Sequence, residues 1–358
     1  MSHPVSLMIK PASGLCNMRC DYCFYHDVAA NREVNNKGLM SVELLEETLN
    51  KAFNYADGQP VRISFQGGEP LMRGKDFFYA YERLVKKLNL RGSKVYVGIQ
   101  TNGTLIDDEW CDFFLRNDVL VGLSLDGTEK VNSYRKFADG SPTFSTVIKS
   151  AELLEKRGVE FNILSVLTSA VADNIEEVYE FFTSRGYKHL QFIPCLKPLY
   201  DKSDNGFTPD GETYSRFLKK CFTLYTRDYL RGDYTSVRLF DNMVALAHLR
   251  RSEQCGTGGH CTHQYVIEGN GDVYPCDFYC LDEYKLGNIA ETDFETMEHS
   301  EKAVRFITES LIIEDKCKAC KWFALCKNGC KRERADIDKC AAYKEFFEKA
   351  LPHLIRMN

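Results

Sequence analysis

The sequence has no long hydrophobic run, no strong charge of one sign and no N-terminal targeting signal. No apolar stretch approaches the roughly 20 residues that a membrane-spanning helix needs. The first residues lack the charged and apolar regions of a signal peptide. The net charge of −5 gives no reason to expect a nucleic-acid partner. These absences predict a cytoplasmic protein with no nucleic-acid partner and no membrane partner.

A dinucleotide-binding fingerprint is also missing after the first predicted strand, which argues against a doubly wound sheet. Strand-like and amphipathic stretches alternate instead. The predicted strands are 5–9, 61–65, 94–99, 120–125, 160–166 and 190–193. The predicted helices between them are 41–55, 76–88, 108–115, 144–157 and 174–185. Repeated β-then-α units predict an α/β fold with a parallel sheet, and we expect a partial (β/α)6 barrel.

Three segments are predicted along the 358 residues, which suffice for one large domain and a smaller one. Residues 1–200 are the partial barrel, and 201–254 are a helical bridge with two further helices predicted at 214–229 and 241–251. Residues 255–358 are a small cysteine-rich domain followed by a C-terminal helix. A β-hairpin is predicted in it because β-rich runs flank a strong turn signal, Glu268-Gly269-Asn270-Gly271-Asp272.

Cysteine, by contrast, is abundant. Fifteen cysteines in a cytosolic chain of this length favour metal binding over disulfides. Cys16, Cys20 and Cys23 follow the first predicted strand with C-x3-C-x2-C spacing. A [4Fe–4S] cluster takes four thiolates, so three would leave one iron open to a substrate or cofactor. A zinc site with a distant fourth ligand and a set of unrelated buried cysteines are the alternatives, and the clustered spacing favours the iron–sulfur interpretation.

A second group of cysteines occupies the C-terminal part of the chain. Its members are Cys255, Cys261, Cys276, Cys317, Cys320, Cys326, Cys330 and Cys340. Eight thiolates can fill two four-ligand sites. Ligand number alone leaves two structural zinc centres and two iron–sulfur clusters equally open.

Polar segments follow further predicted strands, where active sites of such barrels gather. They are Gln66-Gly67-Gly68-Glu69-Pro70, Gln100-Thr101-Asn102-Gly103-Thr104 and Ser124-Leu125-Asp126-Gly127. Glycines allow a backbone to approach a ligand closely, and a glutamate can accept from an ammonium group. Taken alone, Gly-Gly-Glu-Pro is more typical of a simple turn.

The three-cysteine loop, with an aromatic residue directly before its third cysteine, resembles the radical S-adenosylmethionine enzymes. The second cysteine group resembles the SPASM extension of that family. The segments Cys23-Phe24-Tyr25-His26, Phe65-Gln66-Gly67-Gly68-Glu69-Pro70 and Tyr274-Pro275-Cys276-Asp277-Phe278-Tyr279 resemble the anaerobic sulfatase-maturating enzymes. This likeness runs from about residue 5 to about residue 350.

The resemblance implies three [4Fe–4S] clusters and S-adenosyl-L-methionine as cofactors. The radical-generating cluster would be held by Cys16, Cys20 and Cys23. One auxiliary cluster would be held by Cys255, Cys261, Cys276 and Cys330, and the other by Cys317, Cys320, Cys326 and Cys340. The gap from Cys330 to Cys340 is short for the family. The residues implied to contact S-adenosylmethionine are Tyr22, Gly68, Glu69, Ser124, Arg135 and Leu196.

The activity implied is a radical oxidation of a cysteine or serine in a sulfatase active-site motif to Cα-formylglycine. Asp277 matches the catalytic base, although from the residues alone it would be a capping or turn aspartate. Tyr25, Gln66 and Gln100 are placed to hold the substrate. The implied partners are an unfolded or nascent sulfatase polypeptide and a flavodoxin or ferredoxin electron donor.

Two other functions stay open from the sequence. One is a radical peptide-modifying enzyme that forms a thioether or other crosslink in a ribosomal peptide, and the other is a zinc-stabilised binding protein without catalysis. Four cysteines, Cys111, Cys195, Cys221 and Cys280, match no motif. Cys111 and Cys221 lie in helical patterns and are predicted to be core residues, and packing is also the favoured role of Cys280.

Overall fold

A computed structural model of the chain describes residues 3–201, 203 and 205–357. The strands are β1 (Val5–Ile9), β2 (Val61–Phe65), β3 (Val95–Thr101), β4 (Val119–Ser124), β5 (Phe161–Leu167), β6 (His189–Pro194), β7 (Ser236–Val237), β8 (Val266–Ile267), β9 (Asp272–Tyr274) and β10 (Gly287–Asn288). The helices are α1 (Phe24–Ala30), α2 (Val42–Ala56), α3 (Lys75–Leu88), α4 (Asp108–Arg116), α5 (Phe144–Arg157), α6 (Ser169–Asp173), α7 (Ile175–Thr183), α8 (Gly211–Arg231), α9 (Arg238–Ala247), α10 (Cys255–Gly258), α11 (Phe294–Glu298), α12 (Glu301–Ser310), α13 (Asp315–Lys318), α14 (Phe323–Cys326) and α15 (Cys340–Arg356). Short 3₁₀ turns are Pro70–Arg73, Val131–Tyr134, Asp277–Tyr279, Asp282–Tyr284 and Glu333–Ala335.

The chain forms two compact units. The first comprises Met1–Ser124, Arg135–Phe161 and His263–Phe306, and the second comprises Leu125–Tyr134, Asn162–Thr262 and Ile307–Asn358. These units do not follow the expected boundaries at residues 200 and 254, because 263–306 belongs with the first strands of the chain. The division into domains therefore stays a prediction.

The sheet of the first unit runs in the order β10-β9-β8-β1-β2-β3-β4. Strands β1 to β4 are parallel to one another, as repeated β-then-α units require. The predicted hairpin is confirmed as β8 and β9, which pair antiparallel. It extends the parallel sheet, since β8 pairs with β1 through Met8 opposite Val266 and Ile9 opposite Ile267.

The helices of the first unit follow from their sequence patterns. Ser41 caps α2 by accepting a hydrogen bond from the backbone N–H of Leu44, and the buried face of α2 includes Leu45, Leu49 and Phe53. Helix α1 was not predicted, because its seven residues directly after Cys23 are too few to show a periodic pattern. The α/β class predicted from the sequence is confirmed.

The second unit combines parallel strands β5, β6 and β7 with helices packed on one another. Phe222 of α8 has its ring centroid 5.2 Å from that of Phe240 in α9 and 5.1 Å from that of Phe346 in α15. Both predicted bridge helices are present but begin earlier than expected, since α8 starts after the capping residue Asp210. In the described part of the chain, every helix is too short or too polar to cross a membrane.

Candidate active site and cysteine cavity

Cys16, Cys20 and Cys23 lie on the loop that leaves the end of β1, and all three side chains are half-buried. The sulfur of Cys16 accepts hydrogen bonds from the backbone N–H of Met18 at 3.4 Å and from the amide of Asn102 at 3.6 Å. Burial raises the pKa of the Cys16 thiol to about 12. The thiolate form therefore needs a positive partner, which metal coordination supplies.

The two glycines after β2 pack against this cysteine loop. The N–H of Gly68 donates to the carbonyl of Ser13 at 2.8 Å, and that of Glu69 donates to the carbonyl of Leu15 at 2.7 Å. A Cβ atom on Gly68 would lie only 2.1 Å from the Leu15 oxygen. Glycine is thus required by the close approach of the two loops, whatever ligand they also contact.

Glu69 joins the ends of β2 and β3. Its buried carboxylate accepts from the N–H of Leu71 at 3.0 Å, the hydroxyl of Thr101 at 2.8 Å and the N–H of Asn102 at 2.7 Å. Burial raises the pKa of the Glu69 carboxyl to about 7. The structure thus gives Glu69 a structural role, and its predicted contact with S-adenosylmethionine stays a prediction.

Two further pairs of predicted site residues meet in the first unit. Arg135 is buried and donates to the Tyr22 hydroxyl at 3.1 Å. Gln100, at the end of β3, donates to the Ser124 hydroxyl at the end of β4 at 2.9 Å. A predicted substrate residue and a predicted cofactor residue are thereby held together.

Gln66 and Leu196 are each placed at the end of a strand. The Gln66 amide follows β2 and donates to the Ser64 hydroxyl at 3.0 Å. Leu196 belongs to the second unit, where it is buried two residues after β6. Their assignments to substrate and cofactor stay predictions.

Asp277 lies directly after Cys276 and is held by one ion pair and one hydrogen bond. The Lys10 ammonium is 2.7 Å from its Oδ1, and the Tyr25 hydroxyl donates to its Oδ2 at 2.6 Å. The Asp277 side chain retains 10% exposure. Both carboxylate oxygens are therefore fixed in orientation while the group keeps some access, as proton transfer with a bound substrate requires.

A buried charge cluster supports this carboxylate, and sequence reasoning missed it. Glu268 is 3.5 Å from the Lys10 ammonium and accepts from Arg32 at 2.7 Å and Ser13 at 2.6 Å. Burial alone would raise the pKa of Glu268, but Lys10 and Arg32 lower it. Burial alone would lower the pKa of Lys10, but the charges of Asp277, Cys280 and Glu268 raise it well above its usual value.

Lys10 and Glu268 were missed because they are 258 positions apart in the chain. Each follows directly after a strand, and the parallel pairing of β1 with β8 places the two side by side. The N–H of Lys10 continues this ladder by donating to the carbonyl of Ile267 at 2.8 Å. Glu268 belongs to the turn signal that follows β8, and the periodic patterns of the sequence gave no sign of its contact with Lys10.

The second unit contains a cavity of about 340 Å³ whose wall carries thiols. The cavity thiols are Cys317, Cys320, Cys326, Cys330 and Cys340, and all are free. Cys340 is among them despite its short separation from Cys330. Thiols are the donors that soft metals and iron–sulfur clusters prefer, so the chemistry of this cavity wall fits such a group. Cys255 and Cys261 also belong to this unit, and Cys276 belongs to the first unit.

Two polar pairs share the wall of this cavity. The Lys339 ammonium forms a short ion pair with Glu333 and lies 4.8 Å from the centroid of the Tyr214 ring. The hydroxyls of Tyr214 and Tyr343 are 3.1 Å apart. Burial alone would lower the pKa of Lys339, but the negative charge of Glu333 raises it.

The cysteines outside the motifs are buried. Cys111 in α4 and Cys221 in α8 are core residues, as predicted. Cys195 lies after β6, 3.9 Å from the Thr208 hydroxyl. Cys280 is also buried, and its sulfur lies 3.3 Å from the Lys10 ammonium.

Comparison with known proteins identifies the chain. Residues 11–182 match the model of the Radical SAM superfamily, and residues 258–321 match that of SPASM, an iron-sulfur cluster-binding domain. The cysteine-type anaerobic sulfatase-maturating enzyme of Clostridium perfringens is 44% identical over 99% of this chain and 98% of the relative. The chain belongs to the anaerobic sulfatase-maturating enzymes.

Two further similarities extend across this family. The serine-type anaerobic sulfatase-maturating enzyme of Bacteroides thetaiotaomicron is 32% identical over 98% of this chain and 90% of the relative. The solved structure described as native anSMEcpe with bound AdoMet and Cp18Cys peptide is 43% identical, with a TM-score of 0.94 over 99% of this chain and 98% of that one. Radical S-adenosylmethionine and SPASM domains, and hence iron–sulfur clusters with S-adenosylmethionine as cofactors, are confirmed features of this enzyme.

Proposed function

We propose that this enzyme oxidises a cysteine or serine in a sulfatase active-site motif to Cα-formylglycine, with cysteine as the favoured target. Family membership supports the reaction. The greater identity to the cysteine-type relative than to the serine-type relative supports the choice of target.

The cofactors supply the radical and electron chemistry. When bound, S-adenosylmethionine and the reduced first cluster would supply a radical able to take a hydrogen atom from the target Cβ, and the auxiliary clusters would supply an acceptor for the remaining electron. Cys16, Cys20 and Cys23 would hold the first cluster. The auxiliary clusters, which bring the total to three, would be held by the two cysteine sets inferred from the sequence.

The chain's own task in this reaction is to remove the proton of the target thiol or hydroxyl, and Asp277 would accept it. The single observation that carries the proposal is the fixation of Asp277 by Lys10 and Tyr25, at 2.7 and 2.6 Å. A carboxylate held at both oxygens has no freedom to turn away from a substrate. It can therefore accept the proton without first reorganising.

Other polar side chains would orient the two bound molecules. Gln66, Gln100 and Tyr25 would hold the peptide. Tyr22, Gly68, Glu69, Ser124, Arg135 and Leu196 would contact S-adenosylmethionine. The bond between Gln100 and Ser124 supports a shared boundary between substrate and cofactor, because each belongs to one of the two groups.

The partners follow from this chemistry. An unfolded or nascent sulfatase polypeptide would be the substrate, because the target residue must reach a partly buried carboxylate. A flavodoxin or ferredoxin would reduce the first cluster. Both partners would be met in the cytoplasm.

Replacement of Asp277 by asparagine tests the assignment. Cluster-reconstituted enzyme would be mixed anaerobically with S-adenosylmethionine, a reductant and a peptide containing Cys-x-Pro-x-Arg, and the products followed by mass spectrometry. Asp277→Asn is expected to form 5′-deoxyadenosine with little or no formylglycine. Asp282→Asn, in the next 3₁₀ turn, is the matched control and should keep both products. Formylglycine at the parent rate in Asp277→Asn would refute the role of this carboxylate, and a crosslinked product would favour the alternative peptide-modifying function.

A further inference from the structure

The wall of the cysteine cavity contains a buried pair of opposite charges that the proposed reaction does not use. Lys339 directly precedes Cys340, and Glu333 lies three residues after Cys330. Their side chains are 12% and 20% exposed, and the ammonium and carboxylate are in direct contact. Both residues line the same cavity as the thiols.

The position of Lys339 is fixed from more than one direction. Glu333 binds its ammonium, and the ring of Tyr214 lies beneath it at 4.8 Å. The Tyr214 hydroxyl is in turn bonded to that of Tyr343, on the first turn of α15. A cation over an aromatic face is stabilised when it is desolvated, so the positive charge is held at one place on the cavity wall.

Stability alone does not account for this pair. Removing two charges from water is costly, and replacement of a buried ion pair by apolar residues is often neutral or stabilising. The charges do, however, act on whatever occupies the cavity, because their partial burial weakens the screening by water. An iron–sulfur cluster held by thiolates is such an occupant, since its potential depends on net charge and on nearby polar groups.

We propose that Lys339 and Glu333 are opposed charges that together set the reduction potential of the auxiliary cluster that the cysteine cavity would hold, whose wall carries the thiols of Cys317, Cys320, Cys326, Cys330 and Cys340. Cluster ligation by these thiols, which belongs to the proposed function, is the premise. A reduced cluster carries one more negative charge than an oxidised one. Lys339 therefore stabilises the reduced state and raises the potential, whereas Glu333 lowers it. The pair keeps the potential between the values that either charge alone would impose.

Single and double replacements separate the two effects. In an anaerobic redox titration of the full, cluster-loaded enzyme followed by electron paramagnetic resonance, Lys339→Met is expected to lower the potential of this cluster. Glu333→Gln, which keeps the size of the side chain, is expected to raise it. The double variant should return close to the parent value. Opposite shifts are the decisive feature, because a merely structural role would disturb the cluster in the same sense in both variants.

Three controls complete the experiment. Lys349→Met removes an exposed lysine from the same helix, α15, and should leave every potential unchanged. Lys339→Arg keeps the charge and should keep the parent potential even where Lys339→Met loses iron. The signal of the cluster at Cys16, Cys20 and Cys23 is recognised by its change on addition of S-adenosylmethionine, and it should not shift in the variants.

Shifts of the same sign in Lys339→Met and Glu333→Gln, or no shift in either, would overturn the proposal. Formylglycine formation is measured on the same samples. If the two variants shift the reduction potential in opposite directions but the parent makes no formylglycine, the proposed function is refuted. The proposed role of the charge pair is then supported. If the parent makes formylglycine and the variants keep its reduction potential, only the proposed role of the charge pair is refuted.

Discussion

The hydroxyl of Tyr25 donates a hydrogen bond of 2.6 Å to Oδ2 of Asp277. Tyr25 follows Cys23 by two residues, and Asp277 follows Cys276 directly. The bond therefore joins helix α1, which directly follows the cysteine loop, to the segment after the hairpin. It links the part of the chain that would hold the radical-generating cluster to the group that would remove the substrate proton.

Replacing Tyr25 by phenylalanine should slow formylglycine formation by roughly tenfold to a hundredfold, since a hydrogen bond to a charged group contributes about 1.5–3 kcal/mol. The ring and its packing are kept, so the change removes only the hydroxyl. Single-turnover rates measured by mass spectrometry check this. Tyr79→Phe removes an equally short bond to Glu109 from the protein surface and is expected to leave the rate unchanged. An unaltered rate in Tyr25→Phe would show that Asp277 does not depend on this bond.

Gly68→Ala should damage the first cluster site. The added Cβ would meet the Leu15 carbonyl oxygen at 2.1 Å, so the cysteine loop must move. We expect the loss of about one cluster's iron after reconstitution and little 5′-deoxyadenosine. Gly14→Ala, in the same loop, adds a Cβ that has no neighbouring atom within 4 Å. It should keep the full iron content and the formation of 5′-deoxyadenosine. Full iron content and activity in Gly68→Ala would contradict the close packing of the two loops.

Glu268→Gln should destabilise the protein by about 3–5 kcal/mol, because it leaves the buried charge of Arg32 without its carboxylate and leaves Lys10 with Asp277 alone. Urea denaturation would measure the difference in the free energy of unfolding. Glu46→Gln breaks an exposed pair with Lys87 and should cost less than about 1 kcal/mol. Equal costs in the two variants would show that the buried cluster adds no stability.

Glu268 also makes the free energy of unfolding depend on pH in a defined direction. Lys10 and Arg32 hold the pKa of folded Glu268 below its usual value. Its stabilising contribution is therefore present above the ordinary carboxyl pKa and is lost as pH falls through the lowered one. The difference in unfolding free energy between parent and Glu268→Gln should shrink in acid, and a difference that grows in acid would contradict the assigned ion pairs.

Much of the fold was predictable because its signals are local. The alternating strands and helices showed as periodic patterns, and the cysteine sets showed as spacing. The predicted helix boundaries differ from the observed ones where a capping residue sets the start of the helix, as Asp210 does for α8. The contacts around Lys10 and Glu268 were not predictable, because they depend on the pairing of β1 with β8 across more than 250 positions. Likewise, no sequence pattern indicated that Lys339 contacts Glu333 and the ring of Tyr214.

Cys340→Ala tests the ligand whose spacing departs from the family. We expect it to lose about one cluster's iron, since Cys340 lines the cavity with Cys317, Cys320 and Cys326. Iron content and visible absorption after reconstitution check this. Cys111→Ala removes a buried thiol from α4 and should keep all the iron. An unchanged iron content in Cys340→Ala would show that another group completes the site.

Deuterium placed at Cβ of the target cysteine gives the most direct test of formylglycine formation. The labelled Cys-x-Pro-x-Arg peptide would be incubated with the cluster-loaded enzyme and S-adenosylmethionine, and both products analysed by mass spectrometry. The result expected is 5′-deoxyadenosine that carries deuterium, together with a peptide in which the thiol has been replaced by an aldehyde. Unlabelled 5′-deoxyadenosine, or labelled 5′-deoxyadenosine with a crosslinked peptide and no aldehyde, would contradict the proposed function.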